Sequence, residues 1–355
     1  MQTATLLLKN GMRFEGESFG AEIPSAGEVV FNTSMVGYPE SLTDPSYEGE
    51  ILVLTYPLVG NYGVGGGCKD GDNIPKRFES NSLHIKGLIV SEYSENFSHW
   101  DAKKSLGDWL KENKIPAITG IDTRALTQEL RTHGTILGKI IIGKKECDFF
   151  DPNINNLVDK VSIKKPITYK KGKKTIICID CGMKNNILRN FLDRDITVIR
   201  VPWDYDFIEK ELKFDGIFIS NGPGDPAILH PLHKIIQKAF KVKKPIFGIC
   251  LGIQVIAIAS GAKTYKLKFG HRSQNQPCLD VETEKCYITS QNHGFAVDAK
   301  TLKKDWKVWL LNTNDNTVEG IRHKTLPFFA CQFHPEAYPG PTDTMHFFDE
   351  FVDLL

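Results

Sequence analysis

Between residues 175 and 260 short apolar runs alternate with amphipathic stretches, and this alternation limits the possible folds more than any other feature. Thr175 to Asp180, Thr197 to Val201, Gly216 to Ser220 and Pro245 to Cys250 read as strands. Asn185 to Asp193, Phe207 to Leu212, Leu232 to Val242 and Leu251 to Ala259 read as the helices between them. Runs such as IICID, GIFIS and PIFGI are apolar at consecutive positions. Both faces of each strand must then be covered, as in a parallel sheet wrapped by its own crossover helices. The expected C-terminal fold is a doubly wound, mostly parallel α/β sheet over 175–355. KTYKLKFG, KCYITSQN, VEGIRH and PFFACQFH would be further strands, and Asp343 to Leu355 a closing helix.

The 355 residues fit two domains at roughly 100–200 residues each. Residues 1–150 carry short runs such as Glu28 to Phe31, Ile51 to Leu54 and Gly87 to Val90 between turn residues, with a helical segment near Asp122 to Thr132. They predict a separate, mixed, strand-rich α/β N-terminal domain. Residues 151–174 hold seven lysines from Lys160 to Lys174, together with Pro166 and Gly172, and read as a solvated linker.

A formal charge of +1 gives no field of one sign, which argues against a dedicated nucleic-acid binder. The first residues show no signal-peptide pattern, and no window approaches the ~18 apolar residues of a membrane span. Eight cysteines scattered over a long chain suit reduced thiols rather than a disulfide framework, so a cytoplasmic location is expected.

In an open parallel sheet, ligands sit beyond the carboxyl ends of strands, so residues just after each strand come first. Ile246 and Phe247 run into Gly248-Ile249-Cys250-Leu251-Gly252 ahead of an apolar helix. Flanking glycines permit a tight strand-to-helix turn that lifts Cys250 above the sheet, at a helix N-terminus that favours a thiolate. The N–H of Leu251 would face a developing oxyanion. A thiol nucleophile needs a proton-carrying partner, and His334 in Gln332-Phe333-His334-Pro335-Glu336 is the candidate. On an extended strand i and i+2 share a face, so Glu336 would orient the imidazole and complete a Cys-His-Glu triad. Ser220-Asn221-Gly222-Pro223-Gly224-Asp225-Pro226 follows the GIFIS strand, and its glycines allow close backbone approach to a ligand.

The three motifs in this order resemble the class I, triad-type glutamine amidotransferase family. Val30 to Glu40, Leu42 to Tyr47, Leu54 to Asn61, Ile121 to Thr127, Lys268 to Arg272 and Ser290 to Phe295 resemble the carbamoyl-phosphate synthase small-subunit family over the whole chain. The resemblance implies a glutaminase that attacks the glutamine side chain through Cys250, with His334 delivering a proton to the departing ammonia. It also implies glutamine contacts at Ser46, Gly222, Gly224, Leu251, Gln254, Asn292, Gly294 and Phe295, with the pocket straddling the two domains. Carbamoyl phosphate for arginine and pyrimidine synthesis would be made by a large synthetase subunit in a heteromer, and ATP, magnesium and bicarbonate would belong to that partner. The chain itself would need no cofactor and would bind neither nucleic acid nor membrane. Two departures stand out: Ile253 where the family often has His, and Phe333 where it often has Gly.

Two other patterns carry less. Cys178-Ile179-Asp180-Cys181 places its thiols on opposite faces if the strand continues, so no metal is assigned to it. Gly63 to Lys69 matches no phosphate-loop pattern and reads as a flexible loop. A stand-alone cysteine hydrolase and a non-catalytic scaffolding subunit are the rival readings of the chain.

Overall fold

The computed structural model describes residues 2–355. They form two compact units, one reaching to Asn155 and one running from Asn156 to Leu355.

The first unit is built on a closed barrel. Its strands are β1 (Thr3–Leu8), β2 (Arg13–Ser18), β3 (Ser25–Asn32), β4 (Glu50–Leu54), β5 (Gly87–Ile89), β6 (Ala117–Thr119) and β7 (Ile136–Ile142). They close in the order β1-β7-β3-β4-β5-β6-β2, which leaves this sheet no unpaired edge. β3, β4, β5 and β6 pair in parallel, and the remaining pairings are antiparallel. Helix α1 (Thr123–His133) is capped by the Asp122 carboxylate, which accepts from the Ala125 N–H, as its Asp-Thr-Arg-Ala start suits. Val30, Leu52, Leu88, Leu106 and Leu110 are fully buried within this unit's core.

The second unit carries a ten-stranded sheet. Its strands are β8 (Ile167–Tyr169), β9 (Thr175–Asp180), β10 (Thr197–Pro202), β11 (Gly216–Ile219), β12 (Ile246–Ile249), β13 (Thr264–Asp280), β14 (Cys286–Val297), β15 (Trp306–Asn312), β16 (Val318–His323) and β17 (Phe328–Cys331). The order is β8-β10-β9-β11-β12-β17-β16-β15-β13-β14. β10, β9, β11, β12 and β17 form a parallel block, and the strands outside it pair antiparallel. Crossovers are supplied by α2 (Asn185–Leu192), α3 (His230–Val242) and α4 (Leu251–Ala259), and α5 (His346–Asp353) lies near the end of the chain. The order reverses between β9 and β11, and a reversal of this kind opens a crevice at the strands' carboxyl ends.

Both faces of β9 are buried from Ile176 onward, as its unbroken Ile-rich run requires. Helix α4 is apolar but for Gln254 and buried over almost its whole length. Phe207 to Leu212 does not form the expected helix. It turns instead, with Glu211 at φ 52° and the Glu209 N–H taken by the Asp206 side chain. Six residues with a residue of positive φ among them are too few to sustain a helix. The Lys-rich stretch lies largely in the second unit and supplies β8, an edge strand paired with β10. Strand β15, not anticipated from the sequence, joins the antiparallel wing between β16 and β13.

Candidate functional site

The site is assembled at the carboxyl end of the parallel block. Cys250 follows β12 directly and caps α4, with φ 55° and ψ −103°. That conformation is strained for a residue with a side chain, and such strain collects at functional positions. Its N–H is tied to the Cys331 carbonyl at the end of β17, 2.9 Å away. The neighbouring glycines make the turn possible. A Cβ at Gly252 would lie 2.4 Å from the Ile219 carbonyl oxygen, and one at Gly248 would lie 2.8 Å from the Gly252 carbonyl carbon. The Cys250 side chain is buried, and its Sγ approaches the Asn292 carbonyl oxygen at 3.6 Å.

His334 and Glu336 lie beyond β17 rather than on an extended strand. The chain turns there, closed by the Ala337 N–H donating to the His334 carbonyl. The two side chains meet because of this turn and not because of a pleat: His334 Nδ1 lies 2.7 Å from Glu336 Oε1. The backbone of His334 is anchored by its N–H to the Ser290 carbonyl at 2.8 Å. Its Nε2 is buried and makes no conventional hydrogen bond, while Cys250 is close enough to act electrostatically on the ring. Nδ1 is therefore engaged by the carboxylate and Nε2 is left for the thiol.

The charges decide the protonation states. Burial alone would lower the His334 pKa, but the Glu336 carboxylate and the neighbouring Cys250 outweigh it and push it up to about 10. Burial would raise the Glu336 pKa, but Lys184 and His334 overcome it and hold the carboxyl down to about 2.

Lys184 was not anticipated from the sequence. It caps α2, is almost wholly buried, and places Nζ 3.0 Å from Glu336 Oε1 and 2.6 Å from the Ala337 carbonyl oxygen. Its own N–H donates to Asn221 Oδ1 at 3.1 Å, and the Asn186 side chain donates to the Glu336 carbonyl. The signal lay in position: Gly182 to Asn186 follows β9 and Asn221 follows β11, the two strands at which the order reverses.

The other expected residues are placed as follows. Gly222 lies against this region, since a Cβ there would meet the Cys181 carbonyl oxygen at 2.1 Å and the Leu251 side chain at 2.9 Å. Gln254, one turn into α4, donates through Nε2 to the Phe295 carbonyl at 2.8 Å and to Gln332 Oε1 at 3.1 Å. Asn292, Gly294 and Phe295 lie on β14. Gly224, at φ 84°, packs on Leu157. Ser46 belongs to the first unit, in a short turn at Pro45–Tyr47 where its N–H donates to Asp44 Oδ1 at 2.9 Å. The two family departures are both fully buried: Ile253 within the apolar core on α4, and Phe333 against Phe347.

Among the described residues no helix is long and apolar enough to cross a membrane, and all eight cysteines are unpaired.

Residues 177–354 match the family Glutamine amidotransferase class-I, and residues 6–140 match Carbamoyl-phosphate synthase small chain, CPSase domain. The chain is 47% identical to the carbamoyl phosphate synthase arginine-specific small chain of Aspergillus oryzae, covering 100% of this chain and 80% of that one. It is 50% identical to multifunctional protein CAD of Squalus acanthias over 99% of this chain. It is 49% identical to multifunctional protein URA2 of Saccharomyces cerevisiae, again over 99% of this chain. It spans only 16% and 17% of the length of those two proteins.

Proposed function

Given that this chain belongs to the carbamoyl-phosphate synthase small-chain family and carries a class I glutamine amidotransferase domain, we propose that it hydrolyses glutamine and supplies the ammonia for carbamoyl phosphate synthesis. The observation that supports this reading most strongly is the buried line Cys250, His334, Glu336, Lys184, in which each charged group meets one of opposite sign.

The Cys250 thiolate attacks the side-chain carbonyl carbon of glutamine, and the carbonyl electron pair moves onto oxygen. The Leu251 N–H, in the first turn of α4, has no intrahelical acceptor and is available to that oxyanion. His334, held as imidazolium by Glu336, gives its Nε2 proton to the departing nitrogen. The carbon–nitrogen bond breaks, and ammonia and a glutamyl thioester remain. The neutral imidazole next takes a proton from water as the hydroxide oxygen attacks the thioester carbon. Glutamate leaves and the thiolate–imidazolium pair is restored. Glu336 stays ionised throughout, because Lys184 Nζ compensates its charge at the same oxygen that His334 engages.

Glutamine is held, on this reading, by Gly222, Gly224, Leu251, Gln254, Asn292, Gly294 and Phe295. Gln254 is set for this by its two amide bonds, which fix the orientation of its remaining oxygen. The partner is a large synthetase chain that uses ATP, magnesium and bicarbonate, with the first domain as the principal contact. The carbamoyl phosphate enters arginine or pyrimidine synthesis, and eight unpaired thiols suit a reducing, cytoplasmic compartment.

The test pairs the chain with its large subunit and measures synthesis from glutamine and from free ammonia. Cys250→Ser should abolish the first and spare the second. Loss of both would point to a scaffolding role, and glutamine turnover indifferent to the large subunit would point to a stand-alone hydrolase.

A further inference from the structure

The antiparallel wing of the second unit brings together three buried side chains that the proposed chemistry does not use. His271 on β13 and His293 on β14 are direct cross-strand partners, with ring centroids 4.9 Å apart at 88°. Glu319 rises from β16 beside them, and one ligand atom from each of the three lies within 4.8 Å of the others.

Each imidazole is oriented from behind. His271 Nε2 lies 2.9 Å from Asp315 Oδ2, so that nitrogen carries the hydrogen and Nδ1 turns toward Glu319. His293 Nδ1 lies 2.9 Å from the Phe295 carbonyl oxygen, which can only accept, so Nδ1 carries the hydrogen there. A histidine whose outer nitrogen is bonded to a carboxylate or a backbone carbonyl, with the inner one free, is the usual arrangement of a metal ligand.

The inner atoms are unsatisfied. His271 Nδ1 and Glu319 Oε2 are buried without a hydrogen-bond partner. His293 Nε2, left with a lone pair, lies 3.1 Å from the side-chain amide of Gln291, whose other end lies 3.1 Å from Thr289 Oγ1. His271 Nδ1 stands 3.6 Å from Glu319 Oε1, close to the ~3.3 Å edge of a tetrahedron with ligand bonds of about 2.0 Å.

We propose that His271, His293 and Glu319 form a site for a divalent cation of zinc type, which ties β13, β14 and β16 together, with Gln291 Oε1 as a fourth oxygen. Two imidazoles and a carboxylate suit a borderline ion better than magnesium or calcium. The charges of Glu319 and Asp315 balance the ion beside Arg272. Residue 292 precedes His293 and carries the carbonyl facing Cys250 Sγ, so the ion also steadies the strand behind the nucleophile. The inference is independent of the glutaminase reading.

The full chain, stripped with a chelator, is titrated with zinc(II) by calorimetry and with cobalt(II) by visible absorption. One equivalent of zinc should bind. The cobalt form should show the intense visible bands of a four- or five-coordinate ion, without the near-ultraviolet charge-transfer band of a thiolate ligand. Glu319→Gln and His271→Asn should each weaken zinc binding by about 100-fold, and Asp315→Asn by roughly 10- to 100-fold. Absence of stoichiometric binding, a thiolate band placing the ion on cysteine, or an affinity unchanged in folded Glu319→Gln would each overturn the site. The wild-type cobalt spectrum needs no variant, so it decides the matter even where a variant fails to fold.

Discussion

Lys184 and Glu336 form an ion pair sealed from solvent, with Nζ 3.0 Å from Oε1 and the two side chains 3% and 0% exposed. Lys184 shares Glu336 Oε1 with His334 Nδ1, and the pair ties the start of α2 to the turn after β17. Taking two charges out of water is costly, and the cost is offset only where other partners complete the geometry, here the Ala337 carbonyl and the imidazole.

Removal of one member should therefore be severe. Lys184→Met leaves Glu336 charged in a dry site, and a loss of about 3–5 kcal/mol is expected in urea unfolding. The same change raises the Glu336 pKa from its depressed value. A carboxyl depressed in the folded state contributes stability above its unfolded pKa of about 4.3 that is lost as pH falls toward about 2. The wild type should therefore lose thermal stability as pH falls from about 5 toward about 2, and the curve of the already destabilised variant should be flatter over that window. Parallel curves would contradict the role given to Lys184.

His334 has the opposite sign. Its pKa is raised in the folded state, so its contribution is full below the unfolded value of about 6.5 and is lost as pH climbs through about 10. Thermal midpoints of the wild type should decline across that alkaline window, and those of His334→Asn should be flatter there. An equal decline in both proteins would show that the imidazole is not charged at neutral pH.

Gly252 tests the elbow. Its missing Cβ leaves room for the Ile219 carbonyl of β11, 2.4 Å from where that carbon would stand. Gly252→Ala must push α4 away from the sheet, at about 1–3 kcal/mol, and displace Cys250 from His334. Urea unfolding should show the loss and glutamine turnover should drop with it. An unchanged midpoint would mean that the helix start is less constrained than the contact implies.

These residues also show how much the sequence revealed. Cys250 was legible because a buried strand, two glycines and an apolar helix in succession leave one geometry for the residue between them. His334 and Glu336 were legible as a pair, but for the wrong local reason: a turn, rather than a pleat, brings them together. Lys184 was hidden because a lysine near a helix start ordinarily reads as solvated, and only the turn after β17 encloses it. Phe207 to Leu212 has helical spacing without the length to sustain it. The pairing of His271 with His293 depends on the register of two long strands, with a shift between Lys266 and His271 that spacing alone does not disclose. Long-range register, not local pattern, is what the chain keeps from a linear reading.

The central claim is that the Cys250 sulfur is the atom that attacks glutamine. The full chain mixed with glutamine, quenched in acid and mapped by peptide mass spectrometry tests it directly. The account predicts a glutamyl adduct on Cys250, absent from Cys250→Ser. An adduct on any of the other seven cysteines, or turnover that persists in Cys250→Ser, would contradict it.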